Sequence, residues 1–228
     1  MLYTREAVQA NLRNRDGKRV FYLGSGDRLT PGARDFLSRE RIKILPAADA
    51  RPESYRLLSG AHLQDKPESM THLHGNVLVE KTHPRIRFRG AMDTLEGELL
   101  LAQVSTSPKI AAGLGEILEL ARRVIRCDVL EEPVPEWKLL GLEPEELRSH
   151  SHRPQDFYGQ PHFMPEKEDG EPLLRVNRAR CAARSAELAA AEAFTDRDGR
   201  VVREDILRVM NRISSAIWIL MIRMKQGE

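Results

Sequence analysis

The residues best suited to chemistry lie between positions 177 and 187, in the sequence NRARCAARSAE. Arg180, Arg184 and Glu187 follow one another at spacings of four and three, so an α-helix would project all three from one stripe. Two forked guanidinium groups one turn apart suit bidentate binding of phosphate oxygens, and the carboxylate one turn further could orient them or bind a hydroxyl. The pattern therefore predicts a phosphate site, although a solvated ladder of arginine and glutamate explains it equally well.

This stripe belongs to one of four long helical patterns, in which apolar residues recur at threes and fours. We predict helices over Pro84–Ser105, Lys109–Leu130, Leu173–Phe194 and Arg203–Met224, and one brief helix that opens at Pro144. Long helices joined by one extended excursion are typical of a bundle. The predicted fold class is therefore mainly α, a helical bundle of about five helices.

The residues before the bundle lack the long helical patterns seen after them. A short amphipathic helix, two strand-like runs and a Pro-initiated helix predict a small α/β segment over residues 1–46. Residues 47–76 contain prolines and glycine with little periodicity, so we predict a linker with the capacity for local structure. The bundle domain is predicted over residues 77–228.

Composition excludes several classes of protein. Lys plus Arg (36) nearly cancel Asp plus Glu (34) over 228 residues, so no global field favours a nucleic acid or an anionic membrane. No apolar run is long enough to cross a bilayer. Cys127 and Cys181 lack a CxxC partner, which favours a reducing compartment. We predict a cytoplasmic protein that binds neither nucleic acid nor membrane.

The last helix carries a second face that is polar without being charged, formed by Asn211, Ser214, Ser215 and Trp218. An exposed face would normally carry Lys and Glu, so this face is predicted to be covered. It forms either a contact with another helix or subunit, or the wall of a ligand cleft that includes Asn211 and Arg212.

Three segments resemble the ATP-dependent cobalamin adenosyltransferases, in the order in which that family has them. EKTHPRIRFRGAMDTLEGELLLA resembles the first bundle helix, NRARCAARSAE the arginine-rich helix, and DILRVMNRISSAIWILMIR the closing helix with its N-R-L-S motif. The forms LTPGARDFL, MTHL and SHRP resemble the ethanolamine-utilisation branch rather than the propanediol branch. The matches cover about the last two thirds of the chain.

The resemblance implies a transferase that moves the 5′-deoxyadenosyl group of ATP to the cobalt of reduced cobalamin and releases triphosphate. It implies ATP, Mg²⁺ and cobalamin as ligands, and a homo-oligomer, with a trimer favoured, that binds them between subunits. Co(I) is itself the nucleophile, so the protein needs no Ser-His or Cys-His pair. A bacterial microcompartment and a reductase are the implied partners, and the N-terminal segment is expected to serve targeting or docking.

The resemblance also assigns individual residues. Arg180 and Arg184 are the implied catalytic pair. They are also implied ATP ligands, and the other four ATP-binding positions are Lys81, Glu187, Asn211 and Arg212. Asp93 matches an acidic residue that, in the family, pairs with the position of Arg180 across the subunit interface.

The loop PHFMPEKEDG, from Pro161 to Gly170, resembles the family's F-x-L-P-G-G segment. In the family, its phenylalanine presses on the lower face of the corrin and displaces the axial ligand of Co(II). Alignment on Pro165 places His162 at that position, with Phe163 one step on. We expect a hydrophobic contact from Phe163 with His162 nearby, and both are predicted cobalamin-binding residues.

Three features depart from the family. The glycine-rich T-K-x-G-D-x-G loop is not found upstream of Lys81, Ser215 replaces an aspartate in the closing motif, and the cysteine cluster common in the ethanolamine branch is absent. A site for Zn(II) or Fe(II) formed by His62, His72 and His74 is an open alternative, because neutral imidazole suits both ions.

Two other classes of function compete with the enzyme. A non-catalytic helical scaffold that binds a nucleotide or a partner protein would explain the missing glycine-rich loop. A nucleic-acid regulator is suggested only by the N-terminal segment and the arginine cluster. Its weakness is that the positive charge does not spread along a face, as tracking of phosphates requires.

Overall fold

The computed structural model describes residues 1–15, 18–47 and 55–228. These residues divide into an N-terminal unit, Met1–Lys81, and a bundle unit, Thr82–Glu228. Each unit has its own secondary structure. No helix in the described ranges is both long enough and apolar enough to pass through a membrane.

The first part of the N-terminal unit is α/β, as predicted. Its elements are β1 (Leu2–Tyr3), α1 (Arg5–Ala10), β2 (Arg13–Arg15), β3 (Lys18–Leu23), β4 (Arg28–Leu29), α2 (Pro31–Arg39) and β5 (Lys43–Pro46). β1 pairs with β4, and β3 lies between β2 and β5. Thr30 caps α2 by accepting a hydrogen bond from the N–H of Ala33, with Pro31 as the first helical residue.

The rest of the N-terminal unit is a second sheet, where the sequence predicted a linker from residue 47 to residue 76. Its strands are β6 (Tyr55–Leu57), β7 (His62–Leu63), β8 (Met70–His74) and β9 (Val77–Glu80), in the order β7-β6-β9-β8. β9 lies inside the range predicted for the bundle domain. Two of these strands have only two or three residues, which is too short for an alternating pattern to identify.

The bundle unit is mainly α, which confirms the predicted fold class. Its helices are α3 (Pro84–Ser105), α4 (Pro108–Leu130), α5 (Pro144–His152), α6 (Pro154–Tyr158), α7 (Gly170–Phe194) and α8 (Glu204–Lys225). The four long helices agree with the predicted ranges to within about three residues at each end. The short helix α6 was not predicted.

Local capping explains where the first two bundle helices begin. The Nδ1 atom of His83 accepts a hydrogen bond from the N–H of Arg85, and Pro84 occupies the first helical position. Ser107 caps α4 in the same way, by accepting from Ile110. α4 ends at Glu131, whose φ of 56° is left-handed. The starts of α3 and α4 are therefore determined by local sequence, a capping residue followed by proline.

Small residues on α7 let α3 approach closely, because alanine leaves little side chain between two helix backbones. α3 packs along α7, and Ala179, Ala183, Ala186 and Ala190 are fully buried. Phe88 and Phe194 meet edge to face, with 5.4 Å between ring centroids. The alanines therefore form the packed side of α7, and the arginines lie on the neighbouring side, about a quarter turn away.

A buried carboxylate ties α3 to α4. Asp128 is fully buried, and it accepts hydrogen bonds from Nε of Arg85 at 2.8 Å and from Nε of Arg89 at 2.7 Å. Such a pair of charge-assisted bonds offsets the cost of removing the carboxylate from water. Both arginines come from the stretch PRIRFR, so they fix α3 rather than bind a ligand.

Asp205 ties α8 to the segment that follows α4, and this contact gives a stability prediction. Its carboxylate accepts from Arg203 and, at 2.8 Å, from the N–H of Val134. Partial burial opposes ionisation, but these hydrogen bonds outweigh it and lower the pKa of Asp205 to about 2. Asp205→Asn should therefore lower the free energy of unfolding at pH 7 by about 1 to 3 kcal/mol.

The pH dependence follows from the direction of this shift. A carboxyl with a depressed pKa stabilises the fold above its unfolded pKa of 3.8 and loses that contribution as the pH falls towards 2. The difference between wild type and Asp205→Asn should therefore close between pH 4 and pH 2. Urea denaturation followed by tryptophan fluorescence measures it, since Trp137 and Trp218 both lie in the bundle unit. Asp156→Asn, which breaks an exposed pair with Arg153, is the control, and an equal loss there would contradict the prediction.

Candidate active site

The predicted stripe lies on α7 beside the packed alanines, about a quarter turn around the helix. Arg180 and Glu187 are half-buried, whereas Arg184 is exposed. α7 also packs against α8. The stripe therefore lies on the outer surface of α7, beside the closing helix.

Arg180 is held in place by its neighbours. Its Nε and one terminal nitrogen donate to Oδ1 of Asn177, at 3.1 and 3.0 Å. Its guanidinium carbon lies over the ring of Trp218, 5.5 Å from the centroid. Two contacts on different sides fix the direction of the group, while the guanidinium keeps further N–H donors for a ligand.

The next two residues of the stripe are less constrained. Arg184 makes no hydrogen bond or ion pair with any described part of the chain. Glu187 attracts the guanidinium of Arg212 on α8. The N–H of Val202 donates to Phe194 at the turn between the helices and Arg180 lies over Trp218, so α7 and α8 run antiparallel and Arg184 lies between these two levels. An unpaired guanidinium one turn from the fixed Arg180 is suited to an anionic ligand.

The closing helix presents its predicted pair at this surface. Asn211 is exposed, and its Oδ1 accepts from a terminal nitrogen of Arg212 at 3.0 Å. Burial, together with the nearby Arg148, lowers the pKa of Arg212. The Nε atom of Arg212 is buried and has no hydrogen-bond partner in the described residues. Arg212 thus adds a third cation, partly desolvated, next to the two arginines of the stripe.

The loop before α7 lies against the same helix. The ring of Phe163 stacks on Trp218, with centroids 4.8 Å apart, and the ring of His162 stacks on it at 5.7 Å. Lys225 lies 5.0 Å from the centroid of Phe163. Nε2 of His162 faces the carbonyl oxygen of His152 at 3.2 Å, so Nε2 must carry the proton. His162 is exposed and Phe163 is half-buried.

The structure therefore brings the predicted residues of the bundle unit into two adjoining groups. The arginine group contains Arg180, Arg184, Glu187, Asn211 and Arg212, and the aromatic group contains His162, Phe163 and Trp218. Trp218 contacts members of both. Asp93 lies apart from them within the chain, exposed on α3, and Arg180 pairs with Asn177 instead. Lys81 is the exposed last residue of the N-terminal unit, and its backbone N–H donates to Ser69 at 2.9 Å.

The three predicted metal-binding histidines are not brought together. His62 lies on β7 and the other two, His72 and His74, lie on β8, which are the opposite edges of the four-stranded sheet. Three strand spacings, roughly 14 Å, separate those edges. No group of three His, Cys, Asp or Glu side chains suited to a metal ion occurs within residues 1–15, 18–47 and 55–228. The three-histidine alternative is therefore wrong for this structure, because the strand order separates its members.

A cavity of about 530 Å³ lies at the other end of the long helices, lined by Arg85, Glu132, Phe194 and Arg203 among others. None of the predicted site residues lines it. Arg85 and Arg203 are already paired there with Asp128 and Asp205. The candidate site is therefore the surface formed by α7, α8 and the loop before α7, and not this cavity.

Two residues at the site were not assigned by sequence reasoning. Asn177 orients Arg180, and its spacing of three on a helix was the available signal. The sequence predicts that Trp218 lies on a covered face of α8, but it indicates no role for this residue. Its contacts with His162 and Phe163 span more than 50 residues of sequence, so no local pattern could have shown them.

A helical bundle that presents paired arginines beside an aromatic loop agrees with the class implied by the sequence, a transferase that acts on a nucleotide and a corrinoid. A family model described as cobalamin adenosyltransferase matches residues 62–224, well over half of the chain. The chain belongs to the cobalamin adenosyltransferase family, which confirms the resemblance seen in the sequence.

Individual relatives show how much of the chain is similar to known proteins. The chain is 28% identical over 238 aligned residues to the corrinoid adenosyltransferase EutT of Salmonella typhimurium, and this alignment covers 94% of the chain and 89% of the relative. The EutT proteins of Escherichia coli strains K12 and O6:H1 match with the same identity and coverage. The similarity therefore extends beyond the bundle and includes most of the N-terminal unit.

Proposed function

We propose that this protein transfers the 5′-deoxyadenosyl group of ATP to the cobalt of reduced cobalamin, in the service of ethanolamine utilisation. Family membership and the similarity to EutT proteins support the reaction. The observation that carries the proposal is that Arg184, which has no partner in the described residues, shares a stripe with Arg180, whose guanidinium lies over the Trp218 ring on which Phe163 stacks.

In the proposed reaction, Co(I) attacks C5′ of the ribose with its electron pair. A Co–C bond forms, the C5′–O bond breaks, and triphosphate leaves with the electrons of that bond. The leaving triphosphate gains negative charge as the C5′–O bond breaks in the transition state, so Arg180 and Arg184 act where charge develops. Glu187, Asn211 and Arg212 would orient the nucleotide. Mg²⁺ would accompany the triphosphate oxygens.

We further propose that two copies of the chain complete each site, within a homo-oligomer that is most simply a trimer. The candidate site is open in one chain, and Asp93 remains exposed for a partner's arginine. α3 also carries exposed Leu101 (49%) and Val104 (85%), and α7 carries exposed Leu188 (73%). Apolar side chains on adjoining helices are the kind of surface that a second copy covers. A microcompartment and a reductase stay proposed partners of the oligomer.

The proposal predicts a light-sensitive product. Anaerobic incubation of the protein with ATP, Mg²⁺ and chemically reduced cobalamin should produce the absorption spectrum of a Co–C bond, which illumination abolishes. Omission of ATP is the control. Binding of ATP without any Co–C spectrum would contradict the proposal and support the non-catalytic scaffold instead.

A further inference from the structure

Trp218 is the side chain through which the arginine group and the aromatic group touch. Its ring lies under the guanidinium of Arg180, and the rings of His162 and Phe163 both stack on it. The first contact reaches α7 and the other two reach the loop before it. Among the ring and cation–π contacts of the described residues, Trp218 is the one side chain that joins Arg180 to this loop.

The indole ring, rather than its N–H group, makes these contacts. Nε1 of Trp218 is buried and has no hydrogen-bond partner in the described residues. A buried donor without a partner is unfavourable, so a tryptophan at this position is not explained by hydrogen bonding. A large aromatic face explains it, because that face attracts a cation and also stacks on other rings.

We propose that Trp218 is a positioning residue that orients Arg180 toward the triphosphate and Phe163 toward the corrin at the same time. This inference rests on the proposed function. Displacement of the Trp218 ring would release both Arg180 and Phe163, so the affinity for ATP and the environment of cobalt would change together. In this proposal Trp218 does not contact ATP or cobalamin itself. It acts through Arg180, which contacts the triphosphate, and Phe163, which contacts the corrin.

The test compares Trp218→Leu, which keeps an apolar side chain without a ring, with Trp218→Phe, which keeps a ring without the N–H. Both are assayed from chemically reduced Co(I) and from Co(II) with an electron donor. Trp218→Leu should raise the KM for ATP by about tenfold and lower kcat in both assays, because the displaced Arg180 serves both. When the assay begins from Co(II), kcat should fall by about a further tenfold, because Phe163 is displaced as well. Trp218→Phe should recover most of both losses.

A double substitution separates positioning from general damage. In an Arg180→Ala background, Trp218→Leu should no longer change the KM for ATP, because its effect on ATP passes through Arg180. Trp137→Phe is the control, since it removes the other tryptophan, which packs on the core outside the site. That variant should retain the wild-type KM and the wild-type ratio of the two rates.

The assays distinguish failure of the proposed function from failure of the inference about Trp218. If wild type forms no Co–C bond from Co(I), the proposed function fails. If wild type is active but Trp218→Leu changes neither the KM for ATP nor the ratio of Co(II) to Co(I) rates, the inference about Trp218 fails alone. An equal fall of both rates with unchanged KM, or equal damage from Trp218→Phe, would also overturn it, because a purely structural role predicts those patterns.

Discussion

Replacement of Arg184 by alanine is expected to lower kcat/KM for ATP by about 10²–10³ while the fold remains intact. Arg184 is exposed and has no partner in the described residues, so its removal breaks no contact within the chain. In the proposed reaction it neutralises a triphosphate that gains charge as the C5′–O bond breaks. The loss should therefore appear in kcat as well as in KM.

Steady-state kinetics from Co(I) and equilibrium binding of ATP measure this effect. Arg184→Lys keeps the charge but loses the planar fork, and should fall between wild type and the alanine variant. Arg123→Ala is the matched control, because Arg123 is an exposed arginine on α4 outside both groups of the site. If Arg184→Ala binds and uses ATP as wild type does, the assignment of the stripe to the triphosphate is wrong.

Phe163→Ala is expected to reduce turnover from Co(II) by about a hundredfold and to leave turnover from Co(I) nearly unchanged. The ring is half-buried, stacked on Trp218 and close to Lys225, so part of it is accessible to a ligand. A hydrophobic ring that displaces the axial ligand makes Co(II) easier to reduce, and about 2.7 kcal/mol of such an effect corresponds to a hundredfold in rate. Co(I) needs no such help.

The paired assays supply their own control for folding, since intact activity from Co(I) shows an intact ATP site. Met164→Ala removes the next side chain, which is 82% exposed, and should affect neither assay. His162→Ala should have the smaller effect of the predicted pair, because its Nε2 is already hydrogen-bonded to a carbonyl oxygen. Equal losses of Phe163→Ala in both assays would remove the case for this role.

The long helices could be predicted because their signals are local. Proline at the first helical position and a capping residue before it fix the starts of α3 and α4. The apolar spacing of Phe88, Met92 and Leu95 follows the helical repeat, and all three are buried. The short strands β6 and β7 carry no such signal, because their pairing depends on residues elsewhere in the chain.

The candidate site also has a part that local sequence signals predict and a part that depends on distant residues. The order Arg180, Arg184, Glu187 places three side chains on one stripe of any helix, so the sequence by itself determined the polar surface of α7. The sequence also determined the family, because its motifs are short and contiguous. Metal binding by three histidines failed as a prediction because strand order, which is not a local property, separates β7 from β8.

Only the tertiary structure decided which groups meet across the bundle. The packing of α7 on α8 places Arg180 over Trp218, and the path of the chain before α7 brings Phe163 onto the same ring. Both contacts join residues that are tens of positions apart, and their formation depends on the burial of the helices' apolar faces rather than on the polar residues themselves. The sequence thus sets which side chains share a helix face, and the hydrophobic core sets which faces touch.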